Sequence, residues 1–174
     1  TLVGNDKELE TLKKVTDLAA KSIEGYDVIT QEANLAGFFD NTGGANVKPG
    51  DNIRGVRGSA DLILKDKNGG GVTIADFKST KFAPYGVDDY YLGQLLAYGY
   101  GYTQTRNELR NKPEKYKTFE DFEQSDYAKM MGRLMGKSIT EELFETMKGE
   151  DGELKKIQLN YIDPRGNVRT YSAD

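Results

Sequence analysis

Two aspartates and a lysine on neighbouring predicted strands are the residues of this chain whose types and spacing suit chemistry. Asp76 and Lys78 lie two residues apart near the end of the otherwise apolar stretch 72–80, so both side chains project from one side of that strand. Charges in such a place are costly to bury unless they are paired or bind a metal ion. Asp61 lies on the preceding strand and is predicted to face the same point. Two converging carboxylates would make a hard-oxygen site for Mg²⁺ or Mn²⁺, beside a lysine that orients or stabilises an attacking water.

A predicted hairpin positions these three side chains. Residues 54–64 and 72–80 have the composition of two short strands, and the polar, glycine-rich stretch 65–71 is typical of the loop between them. Alternation along the first strand puts Asp61 on the same face as Ser59. The hairpin therefore brings the acids of its two strands close together.

The rest of the chain predicts helices and strands around this hairpin. Apolar residues at helical spacing indicate helices, and short apolar runs bounded by turn residues indicate strands. In chain order, we predict a helix over 5–24, a strand over 26–35, a loop over 36–53, the hairpin, a helix over 88–104, a helical segment over 118–149, and strands over 155–161 and 167–171.

Three short motifs follow one another in this order of elements. Gly58-Ser-Ala-Asp61 leads a strand, Ala75-Asp-Phe-Lys-Ser-Thr80 ends the next strand, and Gln94-Leu-Leu-Ala-Tyr98 lies on the following helix. Together they resemble the PD-(D/E)xK nuclease superfamily, in the branch that contains the RecB nuclease domain, Cas4 and lambda-type exonucleases. The resemblance covers roughly residues 5–105.

The resemblance implies an α/β fold of the restriction-endonuclease type, with an αβββαβ core and a mixed central sheet flanked by helices. The order of the predicted elements fits this core, with a helical insertion over about 107–150 before the last strands. We expect residues 1–174 to form one domain, because a chain of this length can bury a substantial core.

The resemblance also implies a Mg²⁺-dependent DNA nuclease, and more specifically an exonuclease or end-processing enzyme. Asp61 and Asp76 would bind Mg²⁺ (or Mn²⁺), and Lys78 would position the attacking water or neutralise the scissile phosphate. A lysine beside two carboxylates stays protonated in the absence of metal, so we favour the electrostatic role over that of a general base. Gln94 would help to hold the active-site face.

An acid on the first helix often completes the metal site in this family, which makes Glu8 a candidate ligand. At 100° per residue, Glu8 projects to the same side of the helix as Leu12, whereas Glu10 falls on the opposite side. A glutamate in the first helical turn is also favoured by the helix dipole, so both interpretations of Glu8 stay open. Glu32 resembles a glutamate often found on the first strand of RecB-like domains, and we predict a structural or supporting role for it.

The predicted helix over 88–104, which is rich in tyrosine, and the basic run after it form a candidate nucleic-acid surface. Tyr98 lies one turn after Gln94, where its ring could stack on a base or its hydroxyl could bind a phosphate. Arg106 and Arg110 follow along the chain and are predicted to contact phosphates. Runs of charge are more often plain solvated surface, and Glu108 dilutes this one, so that interpretation stays open beside the first.

Composition excludes several other classes of site. The chain has no cysteine, which rules out disulfides, thiolate metal sites and an iron–sulfur cluster of the kind that Cas4 holds. It has no histidine, which rules out histidine-based triads and zinc hydrolases. A formal net charge of −4 is not that of a general nucleic-acid binder, although it leaves room for a local basic patch. No apolar run is long enough to span a membrane.

The resemblance implies that the partner is DNA, as single strands or duplex ends, and that the protein is cytoplasmic and encoded by a bacterium or phage. A first residue other than Met suggests a trimmed chain or a piece of a longer one, so we leave room for a larger polypeptide or complex. Two other interpretations stay open. The chain could be a nuclease-fold module that only binds DNA within a helicase or recombination protein, or its acids and lysine could form a structural ion-pair network in an unrelated α/β protein.

Overall fold

The computed structural model describes residues 6–39, 54–80, 86, 88–136 and 139–173, which form a mixed five-stranded sheet with helices packed around it. In chain order, the elements are α1 (Asp6–Ser22), β1 (Tyr26–Phe39), β2 (Arg54–Asp66), β3 (Val72–Ser79), α2 (Asp89–Asn111), α3 (Phe119–Glu123), α4 (Asp126–Met135), α5 (Glu141–Lys148), a 3-10 turn (Glu150–Gly152), β4 (Leu154–Ile162) and β5 (Val168–Ala173).

The sheet has the strand order β1-β2-β3-β4-β5, with β3 at its centre. Neighbouring strands are antiparallel except β3 and β4, which are parallel. A parallel pair needs a long crossover, and α2 to α5 supply it. Strand β3 has a paired strand on each side, and its residues 72–76 are all buried. This order confirms the predicted α/β class with a mixed sheet flanked by helices.

Helix α2 lies against the sheet along a face of small residues and tyrosines. Tyr98 and Tyr102 are buried there, at 3% and 0% exposure. Gly101 allows the close approach, because an added Cβ would lie 3.0 Å from backbone atoms of Ala36 on β1. The helix begins at Asp88, whose side chain accepts a hydrogen bond from the backbone N–H of Tyr90. Helix α2 thus packs mainly against β1, with further contacts to β2 and β4.

The helical insertion contains three short helices, α3, α4 and α5. Thr118 caps α3 in a capping box with Asp121, as the spacing of the two residues predicts. Ser125 then caps α4, and Thr140 caps α5. Ser138 and Glu141 have the same spacing as Thr118 and Asp121. The cap of α5 is instead Thr140, and Ser138 lies outside the described residues.

Several predicted boundaries shift in the structure. Strand β1 continues to Phe39, where the sequence predicted a loop from residue 36, because its later residues pair with β2 and are covered by α2. Residues 40–53 lie outside the described part of the chain. Helix α2 continues to Asn111, so the basic run begins on a helix. Within the described residues, no helix is both long and apolar enough to cross a membrane.

Candidate active site

The register of the hairpin brings Asp61 and Asp76 together. Regular pairing between β2 and β3 ends at Leu62 and Ala75, one residue short of the two acids. Beyond that point, the two aspartate carboxylates accept hydrogen bonds from backbone N–H groups of the neighbouring strand. The N–H of Asp61 donates to Asp76 Oδ1 at 3.0 Å, and the N–H of Phe77 donates to Asp61 Oδ2 at 2.8 Å. Each acid therefore accepts a hydrogen bond from the backbone of the opposite strand.

Asp76 is the more deeply placed of the two acids, with 2% of its surface exposed. Burial raises the pKa of the Asp76 carboxyl, and the nearby charge of Asp61 raises it further. The backbone N–H of Asp61 and the ammonium group of Lys78 act in the opposite direction but do not cancel the effect. Burial in this site therefore disfavours the charged form of the Asp76 carboxyl.

Lys78 lies beside this carboxylate pair. Its Nζ is 3.3 Å from Asp76 Oδ2 and 4.8 Å from the centre of the Tyr91 ring. Tyr91 lies on α2, outside the Gln94-Leu-Leu-Ala-Tyr98 motif. Its spacing in the sequence could have linked it to the site, since Tyr91, Gln94 and Tyr98 at i, i+3 and i+7 share one side of α2.

Tyr98 contacts the site through its hydroxyl, which donates to the carbonyl oxygen of Ser59 at 3.1 Å. Burial and the charges of Asp76 and Asp61 raise the pKa of Tyr98 to about 12, so the phenol stays protonated. Its ring fills the space over Gly58, where an added Cβ would lie 2.2 Å from a ring carbon. A ring that is 3% exposed offers no face for a base. The geometry thus lends no support to stacking by Tyr98, which stays a prediction.

Gln94 is half-buried between these residues and uses only part of its amide. Its Nε2 donates to the hydroxyl of Tyr90 at 3.3 Å, whereas its Oε1 is buried and has no hydrogen-bond partner within the described residues. A buried polar atom without a partner costs free energy in a folded protein. The Oε1 atom could therefore accept a hydrogen bond from a ligand or a water at the site.

The two candidate glutamates, Glu8 and Glu32, lie on α1 and β1. Glu8 lies on α1, but its side chain is outside the described residues. Glu32 is exposed, has a left-handed backbone with φ of 50°, and lines a cavity of about 140 Å³ between β1 and α5. Within the described residues, no three acidic side chains come together as a metal site. The metal role of Glu8 thus stays a prediction.

Arg106 and Arg110 lie at the far end of α2, where both bind the end of α5. Arg106 donates to the carbonyl oxygens of Met147 and Gly149, at 2.6 and 3.0 Å, and Arg110 donates to that of Lys148 at 2.7 Å. Carbonyls at a helix end lack partners within the helix, so both arginines stabilise this end. Arg110 is twelve residues from Tyr98, roughly 18 Å along the helix. Contact with phosphate therefore stays a prediction for both.

We expect Arg110→Ala to separate these two roles. If Arg110 contacts a phosphate, the slope of log affinity for DNA against log salt concentration should fall by about 0.7 to 0.9. The lost hydrogen bond to α5 should lower the free energy of unfolding by about 1 kcal/mol. Binding titrations at several salt concentrations measure the first effect, and thermal melts measure the second. Arg133→Ala, on the exposed side of α4, is the control. A lower melting temperature with an unchanged slope would leave Arg110 a purely structural residue.

Comparison with known proteins identifies the family. The sequence model of the PD-(D/E)XK nuclease superfamily matches residues 5–161, from the start of α1 into β4. Among solved structures, the chain is similar to one described as the crystal structure of SSO0001, with 11% sequence identity and a TM-score of 0.32. That alignment covers 95% of this chain and 48% of the other, so the chain spans about half the length of that structure. No curated protein matches the chain. On the strength of the family match, the chain belongs to the PD-(D/E)XK nuclease superfamily.

Proposed function

We propose that this protein is a metal-dependent DNA nuclease that hydrolyses phosphodiester bonds at DNA ends, in recombination, repair or phage replication. Membership of the PD-(D/E)XK superfamily suggests a nuclease. The observation that supports catalysis is the facing pair of Asp61 and Asp76 with Lys78 at 3.3 Å. In the same proposal, residues 1–174 form one domain. The buried core supports this, because it extends from the sheet through α2 into α3 to α5.

The chemistry of the acid pair fits a divalent cation. PD-(D/E)XK nucleases typically use such ions, and carboxylate oxygens are ligands that Mg²⁺ and Mn²⁺ accept. Burial raises the pKa of the Asp76 carboxyl, and a bound cation would stabilise its charged form. Asp61 and Asp76 would hold the ion in our proposal. The chemistry gained would be a lower pKa for the attacking water and compensation of charge on the phosphate.

The other side chains of the site would act on the substrate. The Lys78 side chain lies next to the acids, where it would neutralise a non-bridging oxygen of the scissile phosphate. Gln94 would use its free amide atom to hold the substrate or an ordered water. Tyr98, protonated and bound to Ser59, would fix the middle of β2, where Asp61 lies.

End-labelled single- and double-stranded DNA, incubated with the protein and Mg²⁺, Mn²⁺ or EDTA, tests this function. We expect cleavage with either ion and none with EDTA, because the acid pair alone cannot activate water. Binding without cleavage under every metal condition would instead support the DNA-binding module.

Circular single strands of the same sequence test the preference for ends. We expect the linear substrate to be shortened from its end while the circle stays intact. Cleavage of both forms at equal rates would replace the exonuclease proposal with that of an endonuclease.

A further inference from the structure

The ammonium group of Lys78 is shared between a carboxylate and an aromatic ring. Its Nζ lies 3.3 Å from Asp76 Oδ2, longer than the 2.7–2.9 Å typical of a charged hydrogen bond. The same atom is 4.8 Å from the centre of the Tyr91 ring, within the range of a cation–π contact. The lysine side chain is 27% exposed, so part of its surface faces solvent.

Tyr161 packs against the Tyr91 ring, and Tyr171 packs in turn against Tyr161. Tyr161 lies beside Lys78 in the register of β3 and β4, and its ring is 6.2 Å from that of Tyr91. Tyr171 on β5 packs edge-on against Tyr161, with their ring centres 6.0 Å apart. Tyr91 itself sits in the first turn of α2. The ring beneath Lys78 is therefore held by both the helix and the sheet.

We propose that Tyr91 is a positioning residue that acts through Lys78. The negative face of its ring competes with Asp76 for the ammonium group, so the lysine does not close into a tight ion pair with the acid. The Asp76 oxygen then remains available to a cation, and the ammonium group remains available to the scissile phosphate. This inference rests on the proposed nuclease function, which it deepens by adding a residue outside the three sequence motifs.

Substitutions at position 91 test the inference on linear DNA at saturating Mg²⁺. Tyr91→Phe keeps the ring face and should retain kcat within about twofold. Tyr91→Leu removes the ring and should lower kcat by about two- to thirtyfold, with KM little changed, since a cation–π contact is worth about 0.5–2 kcal/mol. Tyr171→Leu is the matched control, because it removes a ring from the same tyrosine cluster one step away from Lys78. We expect it to retain the kcat of the wild-type protein.

Fluorinated phenylalanines at position 91 separate ring electrostatics from packing. Each added fluorine withdraws charge from the ring face while the ring and its packing remain, so kcat should fall in steps along the series. In the metal-free protein, the NMR signals of the Lys78 ε-methylene protons should show an upfield ring-current shift, kept in Tyr91→Phe and lost in Tyr91→Leu.

Two results would count against the inference in different ways. If the wild-type protein cleaves DNA and kcat stays constant along the fluorinated series, Tyr91 does not position Lys78 and the nuclease function stands. If the wild-type protein cleaves nothing with any metal ion, the nuclease function fails and the inference falls with it.

Discussion

Asp76→Asn is expected to abolish DNA cleavage while leaving the metal-free protein at least as stable as the wild type. The substitution removes half of the acid pair, and a bound metal ion stabilises the transition state by several kcal/mol, so we expect kcat to fall by at least about 10³-fold. The asparagine oxygen can still accept the hydrogen bond that Asp61 N–H donates to Asp76. Cleavage assays with Mg²⁺ and thermal melts in EDTA measure the two effects.

The sign of the stability change follows from the raised pKa of Asp76. The carboxyl binds its proton more tightly in the folded protein than in the unfolded chain, where the pKa is near 3.8. Its unfavourable contribution is therefore absent below pH 3.8, grows as the pH rises toward the folded pKa, and is complete above it. Melts in EDTA at pH 3.5 and pH 7.5 should show the advantage of Asp76→Asn only at the higher pH.

Asp27→Asn is the control for this comparison, since it removes an exposed carboxylate of β1 and should change neither activity nor melting temperature. A structural role for Asp76 predicts the opposite behaviour. Breaking a buried ion pair costs about 3–5 kcal/mol. A large drop in the melting temperature of Asp76→Asn at pH 7.5 in EDTA would therefore favour the structural ion-pair network.

Tyr98→Ala is expected to lower the free energy of unfolding by about 3–5 kcal/mol, the usual cost of truncating a buried aromatic side chain. The Tyr98 ring is buried against Gly58, so its removal leaves a cavity between α2 and β2. Because a domain of this size is stable by only about 5–15 kcal/mol, the loss should be plain in a urea titration.

Tyr98→Phe is the matched variant, since it keeps the ring and removes only the hydroxyl that donates to Ser59. We expect it to cost about 1 kcal/mol and to leave affinity for single-stranded DNA unchanged. A Tyr98→Ala protein that melts like the wild type but binds single strands tenfold more weakly would instead restore the stacking role predicted from the sequence.

The placement of the acids could be predicted from sequence because it depends on local rules. Alternation along two strands and a glycine-rich turn between them are enough to bring Asp61 to the same side of the sheet as Asp76. The three residues of the candidate site that lie on the hairpin are indeed together in the structure. The metal ion and the catalytic roles of these residues stay predictions.

The roles of the helix residues could not be read in the same way, because they depend on contacts between distant parts of the chain. Nothing near Tyr98 in sequence indicates that Gly58 leaves room for its ring. Likewise, the charge of the basic run can be read from the sequence. The sequence does not indicate that Arg106 contacts the end of α5, 41 residues further along the chain. A tyrosine or an arginine on a helix suits a nucleic-acid surface and a packed interior equally well until its neighbours are known.

The hydrogen bonds that Asp61 and Asp76 accept from the backbone affect how such a protein can evolve. Asp61 and Asp76 each accept an N–H that the ending β2–β3 pairing leaves without a strand partner. Alanine at either position would leave a backbone donor without its acceptor, whereas asparagine, one nucleotide change away, would keep it. In a lineage that loses DNA cleavage, a change of either aspartate to asparagine could therefore remove the activity while the hairpin remains folded. Most of the family's sequence signature would then remain as well.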